Sequence, residues 1–507
     1  QVALGKTALQ LGNVQIAHHA LKQAAELEPA NPAVFQLLGQ TLELAEAWHE
    51  AAHAYEQELA LEEGNVDLFR RLGMARLRAG QPEEAAKAFR LAIDLQPEMG
   101  ELHFLLARAE RLAGRWQDAL NSLRTARALD PQQGEWARVL AELAREHLSP
   151  AEALPEVTQA VRLSPNDPSL HLLLGDVLQE IGEYERAMQA YDKVIRLSPN
   201  DPKGYRRMGQ AIRQQAERRA ERGEEPPLTE MHFRQGVEAL RRAMTLSQTD
   251  SDTLKDMAVL HWLAGQHDTA LQLRREALQL TPHDVEGQVQ LAIACRKVGQ
   301  LEESAHLLEE AITHEPLTAS YRRELAHTYP VMGHWTEAAK AWRAVTELEV
   351  ENSHDILALA QALLLAKDPD GATQCLTPLI AHYPDLAEAH YLLGQAAEMD
   401  GQWERAARAF GLAVDLQPQQ PSYQYALGRA LGHLDQWDKA AIHLREANRL
   451  DAHHAEWQRA LGAALDILGD AEGALEHYLT AIGMGEESAP LLLAAGALLR
   501  RQKQAAK

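Results

Sequence analysis

A small residue returns every 34 positions along almost the whole chain, and this recurrence constrains the fold more than any other feature. Stepping back by 34 from Gly175 gives Ala141, Ala107, Gly73, Gly39 and Gly5. Stepping forward gives Gly209 and then, after one offset of 15, Ala258, Ala292, Ala326, Ala360, Gly394, Gly428, Gly462 and Gly496. Every one of these positions is Gly or Ala. A second register of small residues accompanies it, at Ala17, Ala51, Ala85, Ala119, Ala153, Ala187, Gly236, Ala270, Ser304, Ala338, Ala372, Ala406, Ala440 and Ala474. A fixed period of this length denotes stacked copies of one supersecondary unit, each burying its apolar face against its neighbours. A 507-residue chain built this way grows by stacking and needs no division into separate ordinary cores.

The clearest copy is Pro168 to Asp201, PSLHLLLGDVLQEIGEYERAMQAYDKVIRLSPND. Two amphipathic helical segments lie in it, joined at Gly182 and closed by Ser198-Pro199. Ala, Leu, Glu, Gln and Arg dominate the chain, aromatics are only 5%, and no Val/Ile-rich run alternates with period two, so the composition is all-helical. The first segment, helix A, commonly ends in glycine, as at Gly80, Gly114, Gly182, Gly265, Gly299, Gly333, Gly401 and Gly469, a left-handed cap signal. The second, helix B, commonly runs into proline, as at Pro97, Pro165, Pro199, Pro316, Pro384 and Pro418. Asn31-Pro32 and Asp201-Pro202 place a capping side chain before a proline at the first helical position.

Counted from Pro168, Leu174, Gly175, Ala187, Tyr191 and Pro199 fall at repeat positions 7, 8, 20, 24 and 32. In these residues the unit resembles the tetratricopeptide repeat (TPR). The resemblance implies an all-α, right-handed TPR superhelix in which positions 4, 7, 8 and 11 of helix A and 20, 24 and 27 of helix B face neighbouring helices. The expected organisation is a single continuous solenoid over 1–507, with a partial repeat at 1–31, full repeats from 32 to 488 and a lone terminal helix at 489–507, its last residues a solvated tail. The offset of 15 marks an insertion at about 214–228 (QQAERRAERGEEPPL), read as a longer helix A and a longer turn. Such an insertion is either a solvated extension or a finger that meets a partner.

The formal charge of −23 argues against wholesale attraction to nucleic acid or anionic membrane. Cys295 and Cys375 lie in different repeats, which gives no disulfide framework and suggests a reducing, cytoplasmic setting. No signal peptide and no membrane-spanning run is present in the sequence; Ala489 to Leu499 is too short and ends in Arg500-Arg501. Because Gln1 lies inside a repeat, the chain reads as a fragment of a longer protein.

His49-Glu50-Ala51-Ala52-His53 matches the HExxH pattern of zinc peptidases. The repeat register explains it otherwise, because Glu50 and Ala51 occupy positions 19 and 20, where Glu-Ala is favoured. No third ligand is apparent, and neither metal nor cofactor is expected. Trp116, Trp335, Trp403 and Trp437 share position 17, where helix B starts, and read as packing residues.

The resemblance assigns the concave groove to positions 2, 5, 9, 12 and 13 of helix A, a stripe beside the buried one. From Val66 onward this stripe carries the basic residues Arg70, Arg108, Arg111, Arg138, Arg145, Arg206, Arg213, Lys255, Arg296 and Arg323. Several sit at position 5, in mid-helix, where the helix dipole does not account for them. Farther on the stripe turns apolar and aromatic, with Leu357, Leu364, Leu365, Tyr391, Met399 and Tyr425. Exposed, such residues would form a binding surface; covered, they would be packing or a self-association contact. The asparagines that clamp chaperone C-termini in some TPR domains are missing, since position 9 is Gln40, Met74, Arg108, Glu142 and Asp176. The asparagine ladder of the O-GlcNAc transferase superhelix is missing too.

The expected function is a non-enzymatic scaffold that holds an extended or helical segment of a protein partner, acidic where the groove is basic. A rival is the substrate-recognition or regulatory arm of a larger enzyme such as a glycosyltransferase. A third reading, single-stranded RNA binding, requires stacking aromatics among the basic residues, and Phe104 and Trp262 are too few to support it.

Overall fold

The computed structural model describes residues 1–505 except Gly64, Val350 and Glu351. Among these residues are 29 helices and no strand. The chain divides into two compact units, Gln1–Leu273 and Arg274–Lys507.

The first unit contains α1 (Val2–Gln10), α2 (Val14–Leu27), α3 (Pro32–Leu44), α4 (Trp48–Leu61), α5 (Val66–Arg78), α6 (Pro82–Leu95), α7 (Gly100–Leu112), α8 (Trp116–Leu129), α9 (Gly134–His147), α10 (Pro150–Leu163), α11 (Pro168–Ile181), α12 (Tyr184–Leu197), α13 (Pro202–Glu221), α14 (Glu230–Leu246) and α15 (Ser251–Leu263). The division falls within α16 (His267–Leu280). The second unit continues with α17 (Val285–Lys297), α18 (Leu301–His314), α19 (Ala319–Val331), α20 (Trp335–Leu348), α21 (Ser353–Leu365), α22 (Pro369–His382), α23 (Ala387–Met399), α24 (Trp403–Leu416), α25 (Pro421–His433), α26 (Trp437–Leu450), α27 (Ala455–Ile467), α28 (Ala471–Gly483) and α29 (Ala489–Ala505). Odd-numbered helices are helix A of a repeat and even-numbered ones helix B, and each unit is a TPR-like stack of such pairs.

The small residue at position 8 meets the position-24 side chain of its own repeat, which is aromatic in several of them. A Cβ placed on Gly175 would lie 2.3 Å from the ring of Tyr191, the position-24 residue of the same repeat. Gly39 faces Tyr55 at 2.4 Å, Gly73 faces Phe89 at 2.5 Å and Gly394 faces Phe410 at 2.5 Å in the same way. Tyr55, Phe89, Tyr191 and Phe410 are all fully buried. Position 8 is alanine in repeats whose position 24 is Leu123, Val157, Leu308 or Leu376, but also opposite Trp342, while Gly209 and Gly428 face Leu240 and Leu444 at 2.4 Å and 2.7 Å. The approach of the two helices as well as side-chain size therefore decides between glycine and alanine.

The helix ends follow the local chemistry. The side chains of Asn31, Asp167 and Asp201 accept hydrogen bonds from the first-turn amides of α3, α11 and α13, each with proline at the helix start. The eight glycines read as caps all have positive φ, from 68° at Gly401 to 89° at Gly182. Three turns hold the same left-handed conformation without glycine, at Glu46, Lys367 and Asp435.

Position 4 departs from the expected apolar stripe. In six repeats it carries a polar side chain that donates to the carbonyl of the proline six residues earlier. His103 reaches Pro97 at 3.0 Å, His171 reaches Pro165 at 2.9 Å, Tyr205 reaches Pro199 at 3.3 Å, Arg322 reaches Pro316 at 2.9 Å, His390 reaches Pro384 at 2.9 Å and Gln424 reaches Pro418 at 3.0 Å. A carbonyl only accepts, so each of these histidines carries its proton on Nε2. The reason is geometric: each proline carbonyl lies in the B-to-A turn, two residues beyond the end of helix B and outside any helical ladder, and position 4 of the next helix lies within reach.

The insertion is mostly helix. α13 runs on to Glu221, and the turn before α14 spans 222–229, with Thr229 capping α14. α29 stays helical to Ala505, where the sequence reads as a solvated tail; Ala506 and Lys507 lie outside the described residues.

Candidate binding surface

The basic stripe is assembled largely into ion pairs between successive repeats. In the first unit the position-12 arginines reach position 13 of the next repeat: Arg111 meets Glu146 at 3.3 Å and Arg145 meets Glu180, while Gln179 donates to Gln214 at 3.0 Å at the same two positions. Arg206 pairs with Asp250, the residue that caps α15. Arg213 bonds Glu217 at 2.6 Å and Asp256 at 2.8 Å. Arg70 is held by Asp67 at 2.7 Å, Lys255 lies 3.5 Å from Asp252, and Arg138 lies 3.6 Å from Glu142. Arg108 is exposed, and no ion pair to it is seen among the described residues.

In the second unit Arg296 meets Glu324 at 2.7 Å, and Arg323 bridges Glu349 and Asp355, both at 2.7 Å. The Asp355 side chain is only 1% exposed, and the hydrogen bonds that Arg323 donates to Asp355 and, secondarily, to Glu349 hold its guanidinium further towards the charged form. These contacts correct the reading of the arginines as an open basic track. Acids one repeat away already occupy most of them, and such partners cannot be seen from the sign of a stripe alone.

The apolar part of the stripe is also redistributed. Leu357, Leu364 and Tyr425 are buried. The Tyr425 ring stacks on Trp457 with centroids 5.2 Å apart, and its hydroxyl donates to Glu456 at 2.7 Å. Tyr391 is half-buried, 4.7 Å from the Tyr423 ring and 5.7 Å from Phe410. Leu365 and Met399 remain exposed. A tyrosine at position 5 therefore packs against the next repeat, so sequence position alone overstates its exposure.

His49 and His53 project from the outer part of α4 and share with His18 a hollow of about 570 Å³ floored by Phe35, Leu38 and Leu42. Among the described residues no three of the His, Cys, Asp and Glu side chains come together closely enough to hold a metal ion. The two thiols are pushed up to about 11 by burial, which keeps them protonated and unreactive. Trp116 and Trp403 at position 17 stack on His147 and His433 of the next repeat. The extended end of α13 places Arg218, Arg219 and Arg222 around a hollow of about 660 Å³ against the Gly182 turn, where Glu183, Glu185 and Glu224 also lie.

The tetratricopeptide repeat family model matches residues 2–66, 70–134, 138–202 and 357–421, which is more than half of the chain. The chain belongs to the tetratricopeptide repeat family. No curated protein sequence matches it. Among solved structures it is similar to Naa15/Naa10 bound to HypK-THB, at 13% identity over 99% of this chain and 97% of that one with a TM-score of 0.38. Yeast Tom70 is similar at 13% identity over 94% and 97%, TM-score 0.34. MamA (41-end) from Desulfovibrio magneticus RS-1 is similar at 25% identity over 34% and 96%, TM-score 0.31. Superpositions this loose say nothing about the partner of the present TPR chain. No helix among its described residues is long and apolar enough to cross a membrane.

Proposed function

We propose that this TPR protein is a non-catalytic scaffold that binds an extended segment of a partner protein along the inner faces of its A helices. The observation that carries the reading is the continuous use of helix A as a lining. Repeat after repeat turns positions 8 and 11 into the stack while positions 9 and 13 stay at the surface, as at Arg108, Leu112, Gln361 and Leu365. No set of side chains in the described residues suggests a reaction centre of its own. An acidic partner would have to compete with Glu146, Glu180, Asp250 and Asp355 for the arginines, so the acidic preference narrows to the surroundings of Arg108 and Arg138.

The test is selection of random 16-residue peptides displayed on phage against the purified chain. The expected outcome is a set of peptides that compete with one another and lose binding in Arg108→Glu or Gln361→Glu, but not in Lys87→Glu on the outer face of α6. Peptides insensitive to both inner-face substitutions, or no enrichment at all, would overturn the scaffold reading.

A further inference from the structure

Position 13, the last residue of most A helices, is mixed in the first unit, where exposed Leu44 and Leu112 alternate with Arg78, Glu146 and Glu180. In the second unit, after Lys297 at the end of α17, it is an unbroken run of Val331, Leu365, Met399, His433 and Ile467, at the ends of α19, α21, α23, α25 and α27. These side chains are not packed away: Val331 is 63% exposed, Leu365 and Met399 are each 47% exposed, and Ile467 is 56% exposed. His433 completes the row, lying flat on Trp403 with ring centroids 3.7 Å apart. Five successive repeats thus each present one apolar or aromatic rung at the same place.

The electrostatic surroundings of the row are one-sided. A helix C-terminus carries about half a negative charge, which cationic side chains in the last turn ordinarily offset. α19, α21, α23 and α27 have no basic residue in the last turn. The five turns that follow contain Asp368, Asp400, Asp435 and Asp470 against the single cation Lys367, and Asp466 precedes Ile467. In the first unit α5, α7, α9 and α13 carry arginine in the last turn, as α17 does in the second, whereas α3 and α11 carry no basic residue there.

We propose that this row seats an extended segment of a partner protein that is both apolar and basic. The inference deepens the scaffold reading and rests on it. α21 packs directly on α23, and packed helices lie about 8–10 Å apart. An extended chain advances about 3.1–3.4 Å per residue, so every third side chain of the segment meets a rung. The residues between them are lysine or arginine, which face the uncompensated helix ends and the aspartates of the turns. An acidic segment would meet the same ends with like charge.

The experiment measures fluorescence anisotropy of labelled 12-residue probes on the full chain. The probe is (Leu-Lys-Ser)4; the controls are (Leu-Glu-Ser)4 and an isomer of the first with its leucines gathered at one end. The expected result is binding of the first at least tenfold tighter than either control. That binding should fall at least tenfold in the double variant Leu365→Asp, Met399→Asp and stay unchanged in Leu91→Ser, Leu95→Ser, which alters exposed leucines of α6, a B helix of the first unit. Both leucines and Met399 are exposed, so circular dichroism of the variants should match the parent. Absence of binding, equal binding of the controls, or retention in the Leu365/Met399 variant would overturn the proposal. So would preference for a helical probe with leucines every seventh residue, or loss of self-association in that variant in place of peptide binding. Displayed peptides that still depend on Arg108 or Gln361 would leave the scaffold reading standing after such a result.

Discussion

The two units have the same interior and differ at the ends of their A helices. Gly73 against Phe89 in the first and Gly394 against Phe410 in the second are the same joint, with Cβ approaches of 2.5 Å in both. At the rim, the first unit ties Arg111 to Glu146 and Arg145 to Glu180, so the ends of α7, α9 and α11 are stapled to one another. The second unit leaves Val331, Leu365, Met399 and Ile467 in solvent at the ends of helices whose last turns carry no basic residue. A repeat fold fixes only the positions that touch its neighbours. The remaining ones are free to hold the stack together or to meet something else.

The largest effect should come from the shared interior. Phe89→Ala and Phe410→Ala should each cost about 3–5 kcal/mol, since both rings are fully buried and leave a void. Because an array unfolds locally rather than all at once, the measurement is amide hydrogen exchange of the flanking helices read by mass spectrometry. A cost several-fold smaller in one unit would break the claim of a common interior.

A smaller effect, of order 1 kcal/mol, separates the units by pH. In the first unit burial, helped by the Glu62 carboxylate, pushes Glu58 up to about 7, and burial raises Glu43 and Asp256 as well. A carboxyl raised in the folded state favours the fold while protonated, so this unit loses stability as pH rises from about 5 through about 7. In the second unit burial lowers His327, His443 and His477 from their ordinary 6.5. Their contribution is present above 6.5 and is lost as pH falls below it. Exchange protection, corrected for the intrinsic rate, should therefore move in opposite directions in the two units between pH 5.5 and 7.5. Glu58→Gln should flatten the slope in the first unit alone. Slopes of one sign in both units would refute the contrast.

The smallest effect concerns the left-handed turns at Glu46 in the first unit and Lys367 and Asp435 in the second, with φ of 57°, 62° and 58°. Replacing each with glycine should stabilise its repeat by about 0.5–1 kcal/mol, since a side chain in that conformation costs roughly 1–2 kcal/mol. Thermal midpoints check this. A gain at Glu46 without one at Lys367 and Asp435 would mean that the rim turns of the two units are not equivalent after all.

The period, the pairing of helices and the caps were all legible in the sequence, because each follows from one residue's size or backbone preference. Gly182 and Pro168 mark helix ends without reference to anything distant. What the sequence hid depends on reach across a turn or across a repeat. His171 looks like an odd polar residue on an apolar face until the Pro165 carbonyl is placed beside it. Arg145 looks like a free cation until Glu180 is found opposite. Tyr425 looks exposed until Trp457 covers it. The row from Val331 to Ile467 could have been found by reading position 13 down the register, but its exposure and the bare helix ends needed the structure.

The match between positions 8 and 24 also bears on how such a chain can change over generations. An exchange between two repeats that joined the helix A of Ala107 to the helix B of Tyr191 would drive a methyl group into the ring, as the 2.3 Å approach at Gly175 shows. Recombination within a repeat is therefore penalised, while exchange at the B-to-A boundary preserves every such match. The heritable unit of this protein is the whole helix pair, and its length can drift in steps of 34 residues far more easily than its halves can be shuffled.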